Sequence, residues 1–321
     1  MLTISKETIK NRLEKKLGPI DELLPIGNHN LRRHFVYMIN CGKKQYIIKI
    51  YYLNISWHRE VFSLNHFSNT PVLVPKLINY GIFDDDIEWA MLEKVEGRLL
   101  VDIFDRIKSK DLQQIYRELG KQLALIHNSV CKKDTFGSLD YRGEIKEGFE
   151  SYKEYIQSRM KPVLKRLDLK KQDDPQLIKQ AINKFNSMFH VIKDVHTACL
   201  YHGDFKPRNI LIKKVGNTHK LSGILDFEQT ELIDVDKELV DFYLNLKENN
   251  NELAASFKSG YEEIRKIDET ALRRKKCFYQ LYDALKICSW SRDIAYDYYL
   301  KSFNKIKKIM NIDKKVKNKN L

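Results

Sequence analysis

The stretch between Leu200 and Glu228 contains polar residues whose types and spacing suit phosphate chemistry. Asp204 is followed five residues later by Asn209, and Asp226 lies further along the same stretch. A carboxylate such as that of Asp204 can accept the proton of an attacking hydroxyl or orient that hydroxyl. An amide and a second carboxylate can hold Mg²⁺ against the phosphates of a nucleotide. These side chains therefore indicate phosphoryl transfer from a nucleotide to a hydroxyl group.

Short apolar segments around these polar residues predict the strands that position them. Leu200–Tyr201 and Ile224–Leu225 are apolar pairs at the two ends of the stretch. Between them lie a three-residue apolar run, Ile210–Ile212, and a turn signal, Gly216–Asn217. Apolar runs bounded by glycine and asparagine are typical of strands joined by a turn. We therefore expect the polar side chains at the ends of short buried strands, where a rigid scaffold can aim them.

The segment HGDFKPRN, followed by LDFE, resembles the catalytic and metal loops of protein-kinase-like phosphotransferases. Gly203 stands where protein kinases have an arginine, which makes the segment similar to the aminoglycoside phosphotransferase and choline kinase family. The resemblance implies that Asp204 is the catalytic base and that Asn209 and Asp226 bind Mg²⁺. It further implies ATP or GTP as the phosphate donor and a hydroxyl of a small molecule as the acceptor.

Lys206 lies inside the same loop, two residues after Asp204. Protein kinases carry a lysine at the similar position, and their resemblance implies that Lys206 contacts the γ-phosphate. Pro207 restricts Lys206 to extended conformations, so its side chain would be presented by a stiff loop. The alternative is a lysine that faces solvent. We predict Lys206 as a catalytic residue together with Asp204.

A lysine and a glutamate further upstream complete the predicted nucleotide site. Lys49 lies in the apolar strand pattern of residues 45–50, and Glu60 follows eleven residues later in the helical pattern of residues 56–64. The resemblance implies that Lys49 binds the α- and β-phosphates and that an ion pair with Glu60 holds it extended. The alternatives are a solvent-facing lysine on an edge strand and an ordinary solvated helix charge.

Two backbone segments are predicted to enclose the nucleotide. A loop at residues 25–30, poor in glycine, precedes a predicted hairpin and would cover the phosphates. A strand that ends near Glu93 and is followed by Val95 and Gly97 resembles the family's hinge. The resemblance implies that backbone groups of Glu93 and Val95 bind the adenine or guanine base.

The resemblance extends over about residues 20–300 and implies an α+β fold with two lobes, as in protein kinases. The N-lobe, residues 1–96, would hold an antiparallel sheet and a helix. The C-lobe, residues 97–321, would be mainly helical and would bind the acceptor. A helix is predicted over Asp111–Asn128 from apolar residues spaced by three and four. His127 and His202 are predicted to be buried and structural.

The cysteines and the hydropathy indicate the compartment. The five cysteines are scattered and contain no C-x-x-C pair, which argues against a disulfide framework or a zinc site and suits a reducing cytosol. No apolar run approaches the roughly 18 residues of a membrane span. The N-terminal residues show no apolar signal-peptide core. We therefore expect a soluble cytoplasmic protein without a membrane partner.

The charge of the chain bears on its partners. The net charge is +14, and the tail from about residue 301 has eight lysines and one aspartate. This pattern predicts a solvated helix face with a frayed end, and no nucleic-acid signature accompanies it, so nucleic-acid binding is not expected. An acidic run over residues 228–241 and acidic, aromatic C-terminal helices favour a cationic acceptor such as an aminoglycoside or a quaternary amine.

Other functions stay open at this point. The acceptor could be a choline-like compound, a sugar or a macrolide. The chain could also be a catalytically inactive, kinase-like binding module, although Asp204, Asn209, Asp226 and Lys49 are all intact.

Overall fold

The computed structural model describes residues 5–27, 34–42, 44–51, 54–83 and 86–317. The end of the predicted phosphate-covering loop, residues 28–30, lies outside the described residues. The strands are β1 (Glu22–Ile26), β2 (His34–Cys41), β3 (Lys44–Tyr51), β4 (Leu77–Ile82), β5 (Glu88–Glu93), β6 (Arg98–Leu99), β7 (Cys131–Lys133), β8 (Phe136–Leu139), β9 (Ile145–Phe149), β10 (Thr197–Tyr201), β11 (Ile210–Val215), β12 (Thr218–Ile224) and β13 (Glu231–Ile233).

Most of the described helices come after the N-terminal sheet in the sequence. They are α1 (Lys6–Leu17), α2 (Asn54–Phe67), α3 (Leu100–Ile103), α4 (Ser109–Ser129), α5 (Tyr152–Arg166), α6 (Pro175–Ser187), α7 (Asp236–Leu239), α8 (Asn245–Asn249), α9 (Asn251–Tyr261), α10 (Glu269–Ser291) and α11 (Tyr296–Lys317). A π-helical segment, Val240–Leu244, connects α7 to α8. The helix predicted from the apolar spacing of residues 111–128 is α4, so that prediction is confirmed.

The N-terminal sheet is antiparallel and has the strand order β1-β2-β3-β5-β4. Strands β2 and β3 form the predicted hairpin, in which Cys41 pairs with Lys44. Gly42 lies in this turn with φ of 59°, a conformation that glycine adopts without a Cβ penalty. The central strand β3 lies between β2 and β5, so Lys49 is on an interior strand and not on an edge strand.

The C-terminal part contains two smaller sheets and most of the helices. Their strand orders are β7-β10-β13-β8-β9 and β12-β11-β6. Helices α4 and α9 approach each other closely at two glycines: a Cβ on Gly120 would lie 2.0 Å from the carbonyl oxygen of Phe257, and one on Gly260 would lie 1.8 Å from that of Arg117. Any larger residue at either position would force these helices apart.

The hydrophobic core is divided in a way that matters for the site. A smaller cluster lies between α1 and the N-terminal sheet and includes Leu13, Ile39 and Trp89. A much larger cluster fills the C-terminal part, and it includes Trp57 and Phe67 of α2. Helix α2 precedes residues 96 and 97, where the boundary between the two lobes is predicted. Its apolar face nevertheless packs into the C-terminal core.

Two expectations from the sequence are corrected here. Cys131 and Cys199 form a disulfide, whereas the scattered cysteines predicted none, because β7 and β10 pair with these residues directly opposite each other. The basic tail forms a helix as predicted, but one side of that helix is not solvated: α11 (Tyr296–Lys317) buries Phe303 and Ile306. No helix in the described part of the chain is both long and apolar enough to cross a membrane.

Candidate active site

Lys49, Glu60 and Asp226 come together at one end of the cleft. The Nζ atom of Lys49 lies 2.5 Å from Oε2 of Glu60 and 2.8 Å from Oδ1 of Asp226. These residues come from β3, from α2 and from the loop after β12, and Lys49 and Asp226 are separated by 177 positions in sequence. The pair predicted between Lys49 and Glu60 is thus present, and it is joined by the carboxylate predicted to bind metal.

The electrostatics of this cluster keep Lys49 charged. Burial would lower the pKa of the Lys49 ammonium, but Asp226 and Glu60 outweigh burial and raise the pKa well above its usual value. Burial raises the pKa of Glu60, and Lys49 opposes that rise. Tyr51 donates a hydrogen bond of 2.6 Å from its hydroxyl to Oε2 of Glu60. Sequence reasoning missed this tyrosine, although its place two residues after Lys49 put it on the same face of β3.

Asp226 adopts an unusual backbone conformation, with φ of 72° and ψ of 62°. Such a left-handed conformation is uncommon for a residue with a side chain. Phe227 follows and is fully buried, with ring centroids 4.4 Å from His202 and 5.6 Å from Phe67. This packing links the loop of Asp226 to α2 and to the segment that carries Asp204.

Asp204 lies within a second cluster of charges. Its carboxylate is 2.8 Å from Nζ of Lys206 and 2.6 Å from the guanidinium of Arg208. Asn209 donates from Nδ2 to the carbonyl oxygen of Asp204 at 2.9 Å and to its Oδ2 at 3.0 Å. Burial would raise the pKa of the Asp204 carboxyl, but Lys206 and Arg208 outweigh burial and hold the pKa well below its usual range. Sequence reasoning did not single out Arg208, although it lies four residues from Asp204 in the same loop.

The predicted metal ligands lie at neighbouring ends of one hairpin. Ile210 of β11 pairs with Ile224 of β12, so Asn209 precedes one paired residue and Asp226 follows the other by two positions. The backbone N–H of Leu225 donates to the carbonyl of Asn209 at 2.8 Å. The strand pairing therefore explains why an asparagine and an aspartate seventeen positions apart in sequence meet at one place.

The oxygen donors at this hairpin end suit a magnesium ion bound jointly with substrate phosphates. No group of three or more His, Cys, Asp or Glu side chains that could enclose a metal occurs among the described residues. Mg²⁺ is commonly bound by one or two protein oxygen ligands, with water and substrate phosphates in the other positions. The carboxylate of Asp226 and the amide oxygen of Asn209 suit that pattern, because the Asn209 amide nitrogen already faces Asp204.

Glu238 supports the backbone of the loop that carries Asp204. Its carboxylate accepts the N–H of His202 at 2.9 Å and that of Gly203 at 2.8 Å, and His127 lies 3.0 Å from it through Nε2. His127 also contacts the hydroxyl of Tyr261 at 2.8 Å. His127 and His202 are both fully buried and both take part in hydrogen bonds. Glu238 belongs to the acidic run seen in the sequence, but this role could not be assigned from composition.

The predicted hinge follows β5. The N–H of Glu93 donates to the carbonyl of Lys76 at 2.8 Å, so this donor is already used within the sheet. Val95 packs toward Gly223, where an added Cβ would lie 3.1 Å from its Cγ1. Gly97 has φ of 143°, and a Cβ there would lie 2.9 Å from the carbonyl oxygen of Ile212. The linker therefore crosses close to β11, and the close approach requires a glycine.

A third group of charges lies on α7, the π-helical segment and α10. Lys237 contacts Asp241 at 2.8 Å and Asp283 at 3.0 Å, and its ammonium lies 5.8 Å from the ring centroid of Tyr282. The rings of Phe205 and Phe242, the chain neighbours of Asp204 and Asp241, are 5.0 Å apart. We call this group, Lys237, Asp241, Tyr282 and Asp283, the acceptor wall.

Similarity to known proteins agrees with this geometry. Residues 29–274 match the phosphotransferase enzyme family. Among solved structures, aminoglycoside phosphotransferase APH(4)-Ia has a TM-score of 0.72 and 13% sequence identity, over 96% of this chain and 99% of that chain. A thermostable mutant of the same protein, in a ternary complex with AMP-PNP and hygromycin B, gives a TM-score of 0.70 and 16% identity, over 95% and 98% of the two chains.

A second kind of relative has the same fold. The GDP and kanamycin complex of APH(2")-IIia gives a TM-score of 0.66 and 13% identity, over 95% of this chain and 99% of that chain. None of the curated proteins compared by sequence matches this chain. The class defined by fold and site is that of the phosphotransferases with a protein-kinase-like fold. The chain belongs to the phosphotransferase enzyme family, so the predicted family, fold class and enzyme class are confirmed.

Proposed function

We propose that this protein transfers the γ-phosphate of ATP or GTP to a hydroxyl of a small molecule in a Mg²⁺-dependent reaction. The observation that carries the proposal is the meeting of Lys49, Glu60 and Asp226 beside the hairpin end that also holds Asn209. Related folds hold AMP-PNP in one case and GDP in another, which supports a nucleotide donor. The hinge at residues 96 and 97 would divide the lobe that covers the nucleotide from the lobe that binds the acceptor.

Each residue at the nucleotide end has a role that follows from its contacts. Lys49 binds the α- and β-phosphates, and Glu60 holds it in place. Asn209 and Asp226 would hold Mg²⁺, which supplies charge neutralisation of the phosphates when it is bound. The salt bridge between Lys49 and Asp226 keeps both charges aligned for that task. The carbonyl of Glu93 and the N–H of Val95 would bind the base.

Asp204 acts on the acceptor. Its low pKa keeps it ionised at neutral pH, so it can accept a hydrogen bond from the attacking hydroxyl and take its proton late in the reaction. Lys206 is half exposed and bonded to Asp204 at 2.8 Å. We propose that Lys206 turns from that carboxylate to the γ-phosphate, where its ammonium stabilises the charge of the transition state.

The acceptor is proposed to be cationic and of the aminoglycoside kind. Asp241 and Asp283 share the single ammonium of Lys237, so the acceptor wall has two carboxylates against one cation. Both side chains are partly exposed, at 28% and 24%. An amino group of the acceptor would complete the pairing. Structural relatives bind hygromycin B and kanamycin, which supports this class.

One observation favours a second kind of acceptor. Lys286 lies one helical turn from Asp283 on α10, is exposed, and forms no ion pair within 4 Å in the described part of the chain. It lies beside the acceptor wall, where its ammonium would bind an acidic group of a non-antibiotic metabolite.

The proposal is tested by steady-state nucleotide turnover with ATP and GTP, each with and without Mg²⁺, against a panel of acceptors. The panel contains aminoglycosides, choline, macrolides, sugars and hydroxylated acids. Acceptor-dependent release of the nucleoside diphosphate that requires Mg²⁺ would support the function, and the responding class would choose between the two acceptors. Nucleotide binding without turnover for every acceptor would support the binding-module alternative.

A further inference from the structure

A buried ion cluster lies on a different side of α2 from the one that meets Lys49. Its centre is the carboxylate of Glu231 on β13, which contacts the guanidinium of Arg59 on α2 and lies 2.6 Å from that of Arg159 on α5. The hydroxyl of Tyr155 donates to Glu231 at 2.5 Å, and that of Ser138 donates at 2.7 Å. Two helices, α2 and α5, and the strand β8 thus converge on one carboxylate of β13.

Arg59 and Glu60 are consecutive, so their side chains leave α2 about 100° apart around the helix axis. Glu60 points to Lys49 at the nucleotide end, and Arg59 points to Glu231. The apolar residues of α2 already pack into the C-terminal core, and Trp57 donates to the carbonyl of Trp89 on β5 at 2.9 Å. The rotation of α2, which sets the position of Glu60, is therefore fixed from both sides.

The position of β13 connects this cluster to the catalytic loop. Glu231 is paired with Tyr201 across β13 and β10, and Tyr201 immediately precedes His202. A shift of Glu231 would move β13, and its paired strand β10 leads into the loop that carries Asp204. The cluster thus ties the helix that orients Lys49 to the sheet that carries the catalytic aspartate.

The energetics argue for a positioning role. Burying an ion pair has a large desolvation cost that its Coulombic attraction only repays with good geometry, so such a pair is weak evidence for stability. Burial would raise the pKa of the Glu231 carboxyl, but Arg59 and Arg159 outweigh burial and lower the pKa. The Nε atoms of both arginines are buried and make no hydrogen bond within the described residues. The ion pairs therefore fix the geometry of the cluster, although these two buried N–H groups contribute no hydrogen bond among the described residues.

We propose that Arg59 and Glu231 are positioning residues for the nucleotide site: their ion pair tethers α2 so that Glu60 stays against Lys49. This inference rests on the proposed function, because it assumes that Lys49 binds nucleotide. Arg159 contacts the same carboxylate but belongs to α5, and its second partner, Glu147, is 41% exposed at 2.7 Å. Loss of Arg159 would disturb the cluster without releasing α2.

The chain therefore supplies a matched pair of variants, Arg59→Gln and Arg159→Gln. Each variant removes one of the two guanidinium groups that bind the Glu231 carboxylate and leaves the other in place. Both variants are expected to lower the unfolding temperature, since each leaves Glu231 with less compensation. Calorimetric titration with Mg-ATP or Mg-GTP separates them. We expect Arg59→Gln to weaken nucleotide binding by about 10-fold and Arg159→Gln by less than about 2-fold, because only the first displaces Glu60.

Hydrogen exchange of the two helices provides a readout that a general loss of stability would not produce. Faster exchange should be confined to α2 in Arg59→Gln and to α5 in Arg159→Gln. If Arg59→Gln does not fold, Arg59→Lys is measured instead. Its shorter side chain and single ammonium replace the planar guanidinium, so the pair with Glu231 is weakened and a smaller contrast in the same direction is expected. Equal weakening of nucleotide binding in both variants, or none in either, would overturn the tether.

The wild-type titration separates this inference from the proposed function. Absence of Mg-nucleotide binding by the wild-type protein would reject the proposed function, and the tether with it. Normal wild-type binding together with indistinguishable variants would reject the tether alone.

Discussion

The two ends of the cleft hold their carboxylates in different ways. At the nucleotide end, Lys49 and Glu60 are almost completely buried, with side-chain exposures of 7% and 2%. At the acceptor wall, Asp241 and Asp283 are 28% and 24% exposed and share Lys237. A buried and fully paired cluster has one geometry, whereas a partly exposed and under-compensated one can accept a partner. We infer that the nucleotide end is preorganised and that the acceptor end is completed by its ligand.

Replacing the catalytic carboxylate should have the largest effect on this contrast. Asp204→Asn keeps the size of the side chain and removes the negative charge that accepts the hydroxyl proton. We expect kcat to fall by about 10²-fold or more, with Mg-nucleotide affinity close to that of the wild type. Steady-state kinetics and calorimetry on the same preparation measure both quantities. A variant with normal kcat would exclude Asp204 from the chemistry.

Lys206→Ala tests the other residue of this loop that is proposed to be catalytic. Loss of its ammonium should lower kcat by about 10- to 10³-fold, because the contact with the phosphoryl group matters most in the transition state. The KM for nucleotide should change much less. Arg208→Ala is the matched control, since it also removes a cation bonded to Asp204. If KM rises and kcat is unchanged, Lys206 binds only ground-state phosphate.

Asp226→Ala breaks the nucleotide end alone. The carboxylate is both a predicted metal ligand and a partner of Lys49 at 2.8 Å. We expect Mg-nucleotide affinity to fall by about 10-fold or more, and the metal dependence of binding to disappear. Calorimetric titrations with and without Mg²⁺ measure this. Asp241→Asn serves as the control at the other end and should leave nucleotide affinity unchanged.

The pH dependence of acceptor binding gives the smallest expected effect and sharpens the comparison. Burial, then Asp283, raises the pKa of Asp241 to about 6, although Lys237 opposes the rise. The carboxyl therefore gains its negative charge as pH rises through that value. For an amine acceptor, KM should fall by about 10-fold between pH 5 and 7.

Asp241→Asn should flatten that profile. The other charged groups facing this carboxyl are Lys237 and Asp283, and Lys286 lies beside Asp283. An acceptor bound through an acidic group should give the opposite slope, because ionisation of Asp241 would then repel it. Profiles of KM for the wild type and the variant distinguish these outcomes.

The comparison of the two ends also explains what the sequence could predict. Lys206, Asn209 and Asp226 lie in or next to one short segment, where spacing alone suggests a shared loop and hairpin. The Lys49 and Glu60 pair was implied by the family resemblance, because a strand and a helix that are adjacent in sequence do not by themselves specify which side chains meet. The acceptor wall, in contrast, joins Lys237 to a helix 46 positions away, and no local period encodes that contact.

Other features depended on long-range packing in the same way. The ion cluster joins Arg59 to Glu231 over 172 positions, and the disulfide depends on the pairing of β7 with β10. The tail was predicted as a solvated helix face with a frayed end because its lysines are numerous. The helix is present, and its apolar residues Phe303 and Ile306 are buried. Their spacing of three residues is helical, so the hydrophobic period indicated a packed side that the prediction did not include.

The central claim is that the γ-phosphate is transferred to an acceptor hydroxyl under the control of Asp204. A single-turnover experiment with nucleotide labelled at the γ-phosphate, excess enzyme, Mg²⁺ and the acceptor chosen by the turnover panel tests it most directly. The label should appear on the acceptor with the wild-type enzyme and remain on bound nucleotide with Asp204→Asn. Label transfer at equal rates in both proteins, or label released only as inorganic phosphate by the wild type, would contradict the account.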